Sequence, residues 1–399
     1  MTTHLPSLRT AVSVPMTVTM LCACTLFAQT DNTWLGDTDN LWTTDANWSA
    51  GAAPDNGTGG AYNVIFNDPA DSTFQPDTSG GGPGRDANTV TFNQAGWTIS
   101  GAGDEIQFFA PSGSTHISSN GAGVNRIDSG VEASGSAGSG TNIDTAAGNT
   151  LVIAHKCEIG ADKNGSGTLV IDTGANFNPR GSAVNVNNGT LLINGTFDHN
   201  DFGHDTFVNS GATLGGIGVT DQTNRVTYDV RSGGTINPGG DGTFGPVIGT
   251  FEVSNGRGSG DRDSTFTFQT GSVYHADIDA AGNSDHLMFT KSAANDASDV
   301  FLNIQSGVNL ELWGSPAYGV EYDLFSVHGI DTRYDGSQFG SVALNGSPLT
   351  EGLEYTATYI STGDDDETIG GLKLTLIPEP SSLVLVSMVA ALLLARRRR

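Results

Sequence analysis

A repeat of about 22 residues in the middle of this chain restricts its fold more than any other feature. Each unit opens with a glycine and continues into a short apolar segment. The first glycines of four successive units are Gly167, Gly189, Gly211 and Gly233, and a shorter step leads to Gly249. Regularly spaced strand-plus-turn units are typical of a solenoid, in which each coil buries its apolar face against its neighbours.

Side-chain alternation predicts which residues of each unit face the interior. Leu169 and Ile171 lie two positions apart, as do Leu191 and Ile193, so each pair points to one side of its strand. Stacking then places Leu169 beside Leu191. Asparagines stand at the predicted turns, where they would form ladders between coils: Asn187, Asn188, Asn194 and Asn209.

Composition supports an all-β fold. Glycine accounts for 55 of 399 residues, about twice its usual share of ~7%, and long helical patterns are absent. We expect a β-helix repeat region over residues 71–260. Residues 261–377 form a second β region with longer strands and more aromatic residues, which are either late coils or a terminal β-sandwich cap.

Three segments of the repeat resemble the autotransporter-associated β-strand repeat. They are Gly189–Gly195 (GTLLING), Ser210–Gly216 (SGATLGG) and Ser232–Gly239 (SGGTINPG). The resemblance covers roughly residues 160–255 and implies a right-handed parallel β-helix. The C-terminal segment of this chain reads as a short apolar helix and not as a translocator barrel, so self-translocation is not implied.

The last 22 residues combine three elements in a fixed order. Pro378, Glu379 and Pro380 come first, an apolar run from Ser381 to Ala395 follows, and Arg396, Arg397, Arg398 and Arg399 end the chain. The run predicts one C-terminal transmembrane helix, although it is shorter than the ~20 residues that span a bilayer comfortably. The arginines should stay cytoplasmic, which places the preceding chain outside.

This tail, residues 378–399, resembles the PEP-CTERM sorting signal of Gram-negative bacteria. The resemblance implies a transient stay in the inner membrane, recognition by an exosortase-type processing enzyme and removal of the tail. The protein would then reach the cell surface or the extracellular matrix. A permanent C-terminal anchor is the alternative, and it also places the body of the chain outside.

The N-terminus predicts export as well. A weakly basic start containing Arg9 precedes a mostly apolar, uncharged run that ends at Ala28, so residues 1–28 read as a signal peptide for the export machinery, cleaved between Ala28 and Gln29. A lipoprotein site at Cys22 is an alternative. After cleavage only Cys157 remains, and it cannot form an internal disulfide.

Charge excludes one class of partner. Without the signal peptide and the terminal arginines, the chain keeps 12 basic and 43 acidic residues, a formal charge of −31. No basic patch remains to bind phosphates, so we expect no nucleic-acid partner.

A Trp-rich module over residues 29–70 precedes the repeat. Trp34, Trp42 and Trp48 have two interpretations. Their rings could stack on the sugars of an extracellular polysaccharide, or they could close the open end of the solenoid. We prefer the second interpretation, because a solenoid must cover its first coil.

Candidate chemical groups are few. His275, Asp277 and Asp279 alternate along a strand and could present a metal site or an acid/base pair. The alternation alone also explains them, because Tyr274, Ala276 and Ile278 would then face the core. No metal or other cofactor is predicted beyond weak Ca²⁺ binding by acidic loops; these loops contain Asp261, Asp263 and Asp364–Asp366.

His155 and Cys157 are also placed on one strand face by alternation. A cysteine nucleophile needs a third, orienting group and an oxyanion hole. Nothing near this pair in the sequence suggests either, so no nucleophilic site is predicted there.

Three functions remain for comparison. The first is a non-catalytic structural or adhesive β-helix at the cell surface or in the biofilm matrix, and this is the function we predict. The second is a carbohydrate-binding surface module. The third, a polysaccharide lyase or hydrolase, rests on fold analogy, and the scarcity of Lys and Arg argues against a lyase that must neutralise acidic sugars.

Overall fold

The structure is a computed structural model, and it describes residues 29–54, 62–79, 85–101, 103–109, 115–133, 142–160, 162–180, 183–199, 205–222, 226–240, 242–244, 247–255, 264–291, 300–328, 332–362 and 370–378. The predicted signal peptide up to Ala28 lies outside these residues. So do the acidic positions Asp261, Asp263 and Asp364–Asp366, and the sorting tail from Glu379 to Arg399. Gln29 and Pro378 are described, and both are exposed.

The chain folds into three long β-sheets, and successive strands pass from the first sheet to the second and third before returning to the first. Sheet 1 contains β1 (Thr30–Thr33), β2 (Tyr62–Phe66), β4 (Thr89–Phe92), β7 (Thr115–Ser119), β10 (Asn142–Thr145), β13 (Asp162–Asn164), β16 (Val184–Val186), β19 (Thr206–Val208), β22 (Thr227–Val230), β25 (Ser264–Phe268), β28 (Val300–Ile304) and β31 (Thr332–Tyr334). Sheet 2 contains β5 (Thr98–Ile99), β8 (Gly123–Ile127), β11 (Asn149–Ile153), β14 (Thr168–Ile171), β17 (Gly189–Ile193), β20 (Ala212–Gly216), β23 (Thr235–Pro238), β26 (Val273–Ile278), β29 (Asn309–Gly314), β32 (Ser341–Leu344) and β33 (Ser347–Pro348). Sheet 3 contains β3 (Arg85–Ala87), β6 (Glu105–Phe108), β9 (Gly130–Ala133), β12 (Lys156–Glu158), β15 (Asn176–Phe177), β18 (Thr196–Asp198), β21 (Val219–Gln222), β24 (Thr250–Asn255), β27 (His286–Lys291), β30 (Glu321–Val327), β35 (Gly370–Leu376) and β34 (Tyr355–Ile360).

This topology is that of a parallel β-helix, as the repeat predicted. Strands within each sheet pair in parallel up to the last coils, and two short 3₁₀ turns, Asp45–Asn47 and Pro69–Asp71, are the helical elements of the described chain. The predicted stacking is confirmed, since Leu169 pairs with Leu191 and Ile171 with Ile193. These side chains are fully buried, and their columns form part of one continuous apolar core.

The register corrects the repeat in two places. Gly189 pairs with Ala212 and not with Gly211, because that register keeps Leu214 in the core beside Leu191; a slip of one residue would turn Leu214 outward. The segment that begins at Gly249 is not the next strand of sheet 2. It forms β24, which pairs with β21 in sheet 3.

Aromatic rings reinforce the inward columns where neighbouring strands carry them at matching positions. Phe66 stacks on Phe92 with ring centroids 5.1 Å apart, and Phe177 stacks on Phe197 at 4.9 Å. Such pairs stabilise a core by about 0.5–1.5 kcal/mol beyond the area that they bury. Together with the leucine and isoleucine columns, they hold a chain that has no internal disulfide among its described residues.

The asparagine ladder is confirmed in part. Amide groups link Asn142, Asn164, Asn187 and Asn209 from coil to coil, with N–O distances of 2.7–3.0 Å. Asn188 and Asn194 do not belong to it. The side-chain oxygen of Asn188 accepts the N–H of Gly189, and Asn194 is buried and contacts the loop at Phe244.

The three N-terminal tryptophans are buried and pack on one another. Trp48 makes edge contacts with Trp34 and Trp42 at centroid distances of 5.0 and 4.8 Å, and both Trp42 and Trp48 contact Phe66. Each indole N–H donates to a backbone carbonyl. Rings enclosed in this way cannot stack on a sugar, so the sugar-stacking interpretation of these residues is wrong.

The region after residue 260 continues the same coils and does not form a separate sandwich. Strands β25 to β32 extend the three sheets in parallel, and the molecule ends with the antiparallel strands β33, β34 and β35. Within the described residues, no helix is long and apolar enough to cross a membrane; the predicted transmembrane segment lies outside them.

Candidate functional site: a groove on the outer face of sheet 2

A column of threonines runs up the outer face of sheet 2. One threonine from each of five consecutive strands occupies the same register position, and each is half-buried. The column consists of Thr150, Thr168, Thr190, Thr213 and Thr235. Neighbouring strands lie about 4.8 Å apart, so the hydroxyl groups form an evenly spaced polar row. The Gly-Thr pairs of the repeat were a sequence signal for this threonine column, but only the inward positions of the repeat were predicted.

A second outward-facing column lies two residues further along the same strands. Its first three members are apolar, and the loop that contains Phe244 covers them. Val152, Val170 and Leu192 are buried in a small cluster separate from the core, and Phe244 packs against them. The side-chain amide of Asn194 donates to the carbonyl of Phe244 and fixes this loop. The loop therefore covers this apolar column, which lies beside the threonine column.

A groove of about 390 Å³ lies along the threonine column. It spans six neighbouring strands of sheet 2, from β14 to β29, a length of about 24 Å at the usual strand spacing. It is lined by four of the threonines together with Leu192, Asn237, Gly240, Val273, His275 and Glu311. Among the described residues, the lining is thus rich in hydroxyl groups, with one amide, and contains no lysine or arginine.

An aromatic pair borders the β29 end of this groove: His275 lines it, and Trp313 lies beside His275 just outside the lining. The rings of His275 and Trp313 are nearly parallel, with 13° between their planes and centroids 5.9 Å apart. Trp313 is 42% exposed, whereas Trp34, Trp42, Trp48 and Trp97 are buried. It is therefore the one exposed residue among the five tryptophans of the sequence. Trp313 was not predicted as a surface residue, although its alternation with the buried Leu310 and Leu312 is a signal that places it on the outer face of β29.

The predicted trio at this position is only partly assembled. His275 and Asp277 both point outward, and Nε2 of His275 lies 3.6 Å from Oδ1 of Asp277, while Tyr274, Ala276 and Ile278 face the core as expected. Asp279 instead organises the following turn by accepting the N–H groups of Ala281 and Asn283. Across the described ranges, no group of three or more His, Cys, Asp or Glu side chains could hold a metal ion.

His155 and Cys157 do not share one strand face as predicted. Cys157 points into the core from β12 and is fully buried, whereas His155 lies exposed in the bend before that strand. Burial raises the pKa of the Cys157 thiol well above its usual range. A buried thiol without a thiolate form is not a nucleophile.

Charged residues cluster on the outer face of sheet 3. Nζ of Lys156 lies 2.8 Å from Glu105 and 3.1 Å from Glu158, and Arg180 contacts Glu132 and Glu158. A hydrogen bond between Glu105 and Glu132 raises the pKa of Glu132 and lowers that of Glu105. Both cations are thus paired with carboxylates, and the cluster offers little free positive charge to an acidic sugar.

A serine between two histidines lies further along sheet 3. Oγ of Ser326 is 2.8 Å from Nε2 of His286 and 2.7 Å from Nε2 of His328. Burial is the main cause that lowers the pKa of His286. Ser326 is only 4% exposed and does not line the neighbouring cavity of about 570 Å³, so its hydroxyl is not presented to a substrate.

No protein-family model matches this chain, and no curated protein matches it either.

Proposed function

We propose that this chain is an exported, non-catalytic protein that acts as a structural and adhesive rod at the cell surface or in the extracellular matrix. In this proposal it is a right-handed parallel β-helix, delivered by the export machinery and processed at its tail by an exosortase-type enzyme. The support for the rod is one observation: the same three sheets continue from β1 to β35 without a break between domains.

Features at both ends of the rod favour a monomeric protein. An uncovered solenoid end presents unpaired backbone groups that can recruit another chain. Here the tryptophan cluster fills the interior beside β2, and antiparallel pairing of β30 with β35 and of β35 with β34 ends sheet 3. The tryptophan cluster and the antiparallel strands cover part of the two ends, and such a body suits a protein displayed outside the cell.

Fractionation of the producing cells tests the delivery step. We expect the protein in the surface and medium fractions. A variant in which Pro378, Glu379 and Pro380 are replaced by alanine should accumulate in the membrane fraction. Equal release of this variant and the wild-type protein would contradict processing at the tail. Retention of both proteins in the cytoplasm would contradict export altogether.

A carbohydrate-binding role is the second candidate, and the exposure of Trp313 favours it. The residues that would carry it differ from those expected from the sequence, because Trp34, Trp42 and Trp48 are buried.

A further inference from the structure

We propose that the groove on the outer face of sheet 2 binds a neutral polysaccharide chain laid along the axis of the solenoid. This inference rests on the proposed adhesive function and names its ligand class. Three features carry it: the shape of the groove, the polar groups along its floor and the aromatic pair at its end.

The groove has the shape of a site for an extended polymer. It crosses six strands: on the first four the threonine column forms its floor, and on β26 and β29 it continues over Val273, His275 and Glu311. Phe244 packs against the cluster that contains the lining residue Leu192. A small ligand would leave most of such a groove empty, whereas an extended oligosaccharide would contact it from end to end.

The lining matches the polar edge of a sugar chain. Threonine hydroxyls both donate and accept hydrogen bonds, as sugar hydroxyls do, and four of them line the groove. Asn237 adds a side-chain amide to the lining. A row of such groups at strand spacing can contact successive sugar units without using charge.

Trp313 supplies the apolar contact that sugars need. The CH face of a pyranose ring packs on an aromatic ring, and an indole offers a large apolar surface for it. His275 stacks on Trp313 and holds its ring in place, while Glu311 lies two residues earlier on the same face of β29. This arrangement places one sugar unit against the indole and its hydroxyls beside Glu311.

Charge selects a neutral chain over an anionic one. The lining residues that the structure describes include a carboxylate, Glu311, and no lysine or arginine, and the whole chain has a formal charge of −26. An acidic polysaccharide would be repelled by both. A neutral glycan pays no such electrostatic cost and can use the hydroxyl and amide groups directly.

Affinity electrophoresis of the full chain, purified in detergent, tests this site. Gels containing β-1,4-glucan, β-1,3-glucan, mannan, xylan or α-glucan are compared with gels containing alginate or polygalacturonate. We expect at least one neutral glycan to retard the protein and the anionic glycans not to do so. We expect Trp313→Ala to weaken that binding at least tenfold and Thr213→Val to weaken it roughly two- to tenfold, the range for one hydrogen bond.

Phe74→Ala is the matched control, since Phe74 is an aromatic residue that is 38% exposed and lies between β2 and β3, outside sheet 2. It should bind like the wild-type protein. A shared melting temperature would show that all the variants are folded. The site is overturned if no neutral glycan binds, if only anionic glycans bind, or if folded Trp313→Ala binds as tightly as the wild-type protein. These results leave export untouched, which fractionation tests separately.

Discussion

Lys163 shows how a single residue can depart from the alternation rule without breaking the fold. It points inward from β13, in register with the core residues Ile143 and Val186. Its ammonium group donates to the carbonyls of Asn164, Gly165 and Asn188 at 2.8, 2.8 and 3.0 Å. The sequence could not predict this, because a lysine in a strand ordinarily marks the solvent face.

Replacing Lys163 with methionine should therefore destabilise the protein despite the better match to an apolar core. The carbonyls of Asn164, Gly165 and Asn188 lose their donor, and we expect a loss of about 1–3 kcal/mol in the free energy of unfolding. Urea denaturation measures it. Lys373→Met is the control, because the pair of Lys373 with Glu321 is exposed and contributes about 0–1 kcal/mol. A methionine at position 163 that stabilises the protein would contradict this assignment.

Asp285 gives the stability of the protein a dependence on pH. Its carboxylate accepts the N–H groups of Gly249 and Asp277, yet burial dominates and raises its pKa to about 8. Between its ordinary value of 3.8 and about 8, the folded state binds more protons at this site than the unfolded state. The contribution of this group is therefore fully present below pH 4 and is lost as the pH rises through 8.

Asp285→Asn should flatten that part of the profile. We expect the wild-type melting temperature to fall relative to that of the variant as the pH rises from 5 to 8. Thermal unfolding at a series of pH values measures the difference, and Asp37→Asn, at an exposed position, should keep the wild-type slope. Parallel profiles for the wild-type protein and Asp285→Asn would show that Asp285 does not titrate in this range.

At the scale of the coil, two glycines of the repeat are required for different physical reasons. Gly189 and Gly211 both have positive φ angles, +66° and +79°. A Cβ at Gly189 would lie 2.3 Å from the carbonyl oxygen of Gly167, whereas a Cβ at Gly211 would meet nothing within 4 Å. Gly211 bonds instead to Gly233 and Gly233 to Gly271, which forms a backbone ladder at one corner.

The two alanine substitutions should separate conformational strain from close approach. Gly211→Ala introduces only the strain of a left-handed backbone, about 1–3 kcal/mol. Gly189→Ala adds a clash between coils that should cost a further 1–3 kcal/mol, roughly the penalty of overpacking. Chemical denaturation of both variants measures the difference. Equal losses would contradict the close packing of the coils at Gly189.

The sequence predicted some features of each coil correctly and missed others. The inward columns of Leu169 with Leu191 and of Ile171 with Ile193 were predicted correctly, since apolar alternation fixes the inward side of a strand wherever one face is buried. The constant step of the glycines does not give the register, because Gly189 pairs with Ala212 and not with Gly211. The placement of β24 in sheet 3 was missed because nothing local in a strand records which sheet it joins.

At the scale of the molecule, the groove could not be predicted from the sequence, because nothing local in a strand records which strands lie beside it. Its lining residues lie between positions 168 and 311, and only the stacking of six strands brings them onto one face. Trp313 and His275 are 38 positions apart in the chain and become neighbours through the pairing of β26 with β29. The alternative in which tryptophans stack on sugars named Trp34, Trp42 and Trp48, which are buried, whereas the contact proposed from the structure is the exposed Trp313.

Mass spectrometry of the protein recovered from the cell surface and the medium tests the proposed function most directly. We predict a chain that begins near Gln29 and ends near Pro378–Pro380, with the three-sheet body intact between them. Recovery of the complete C-terminus through Arg399 in the membrane fraction would contradict processing and release. A chain that retains its first 28 residues in the cytoplasm would contradict the exported rod itself.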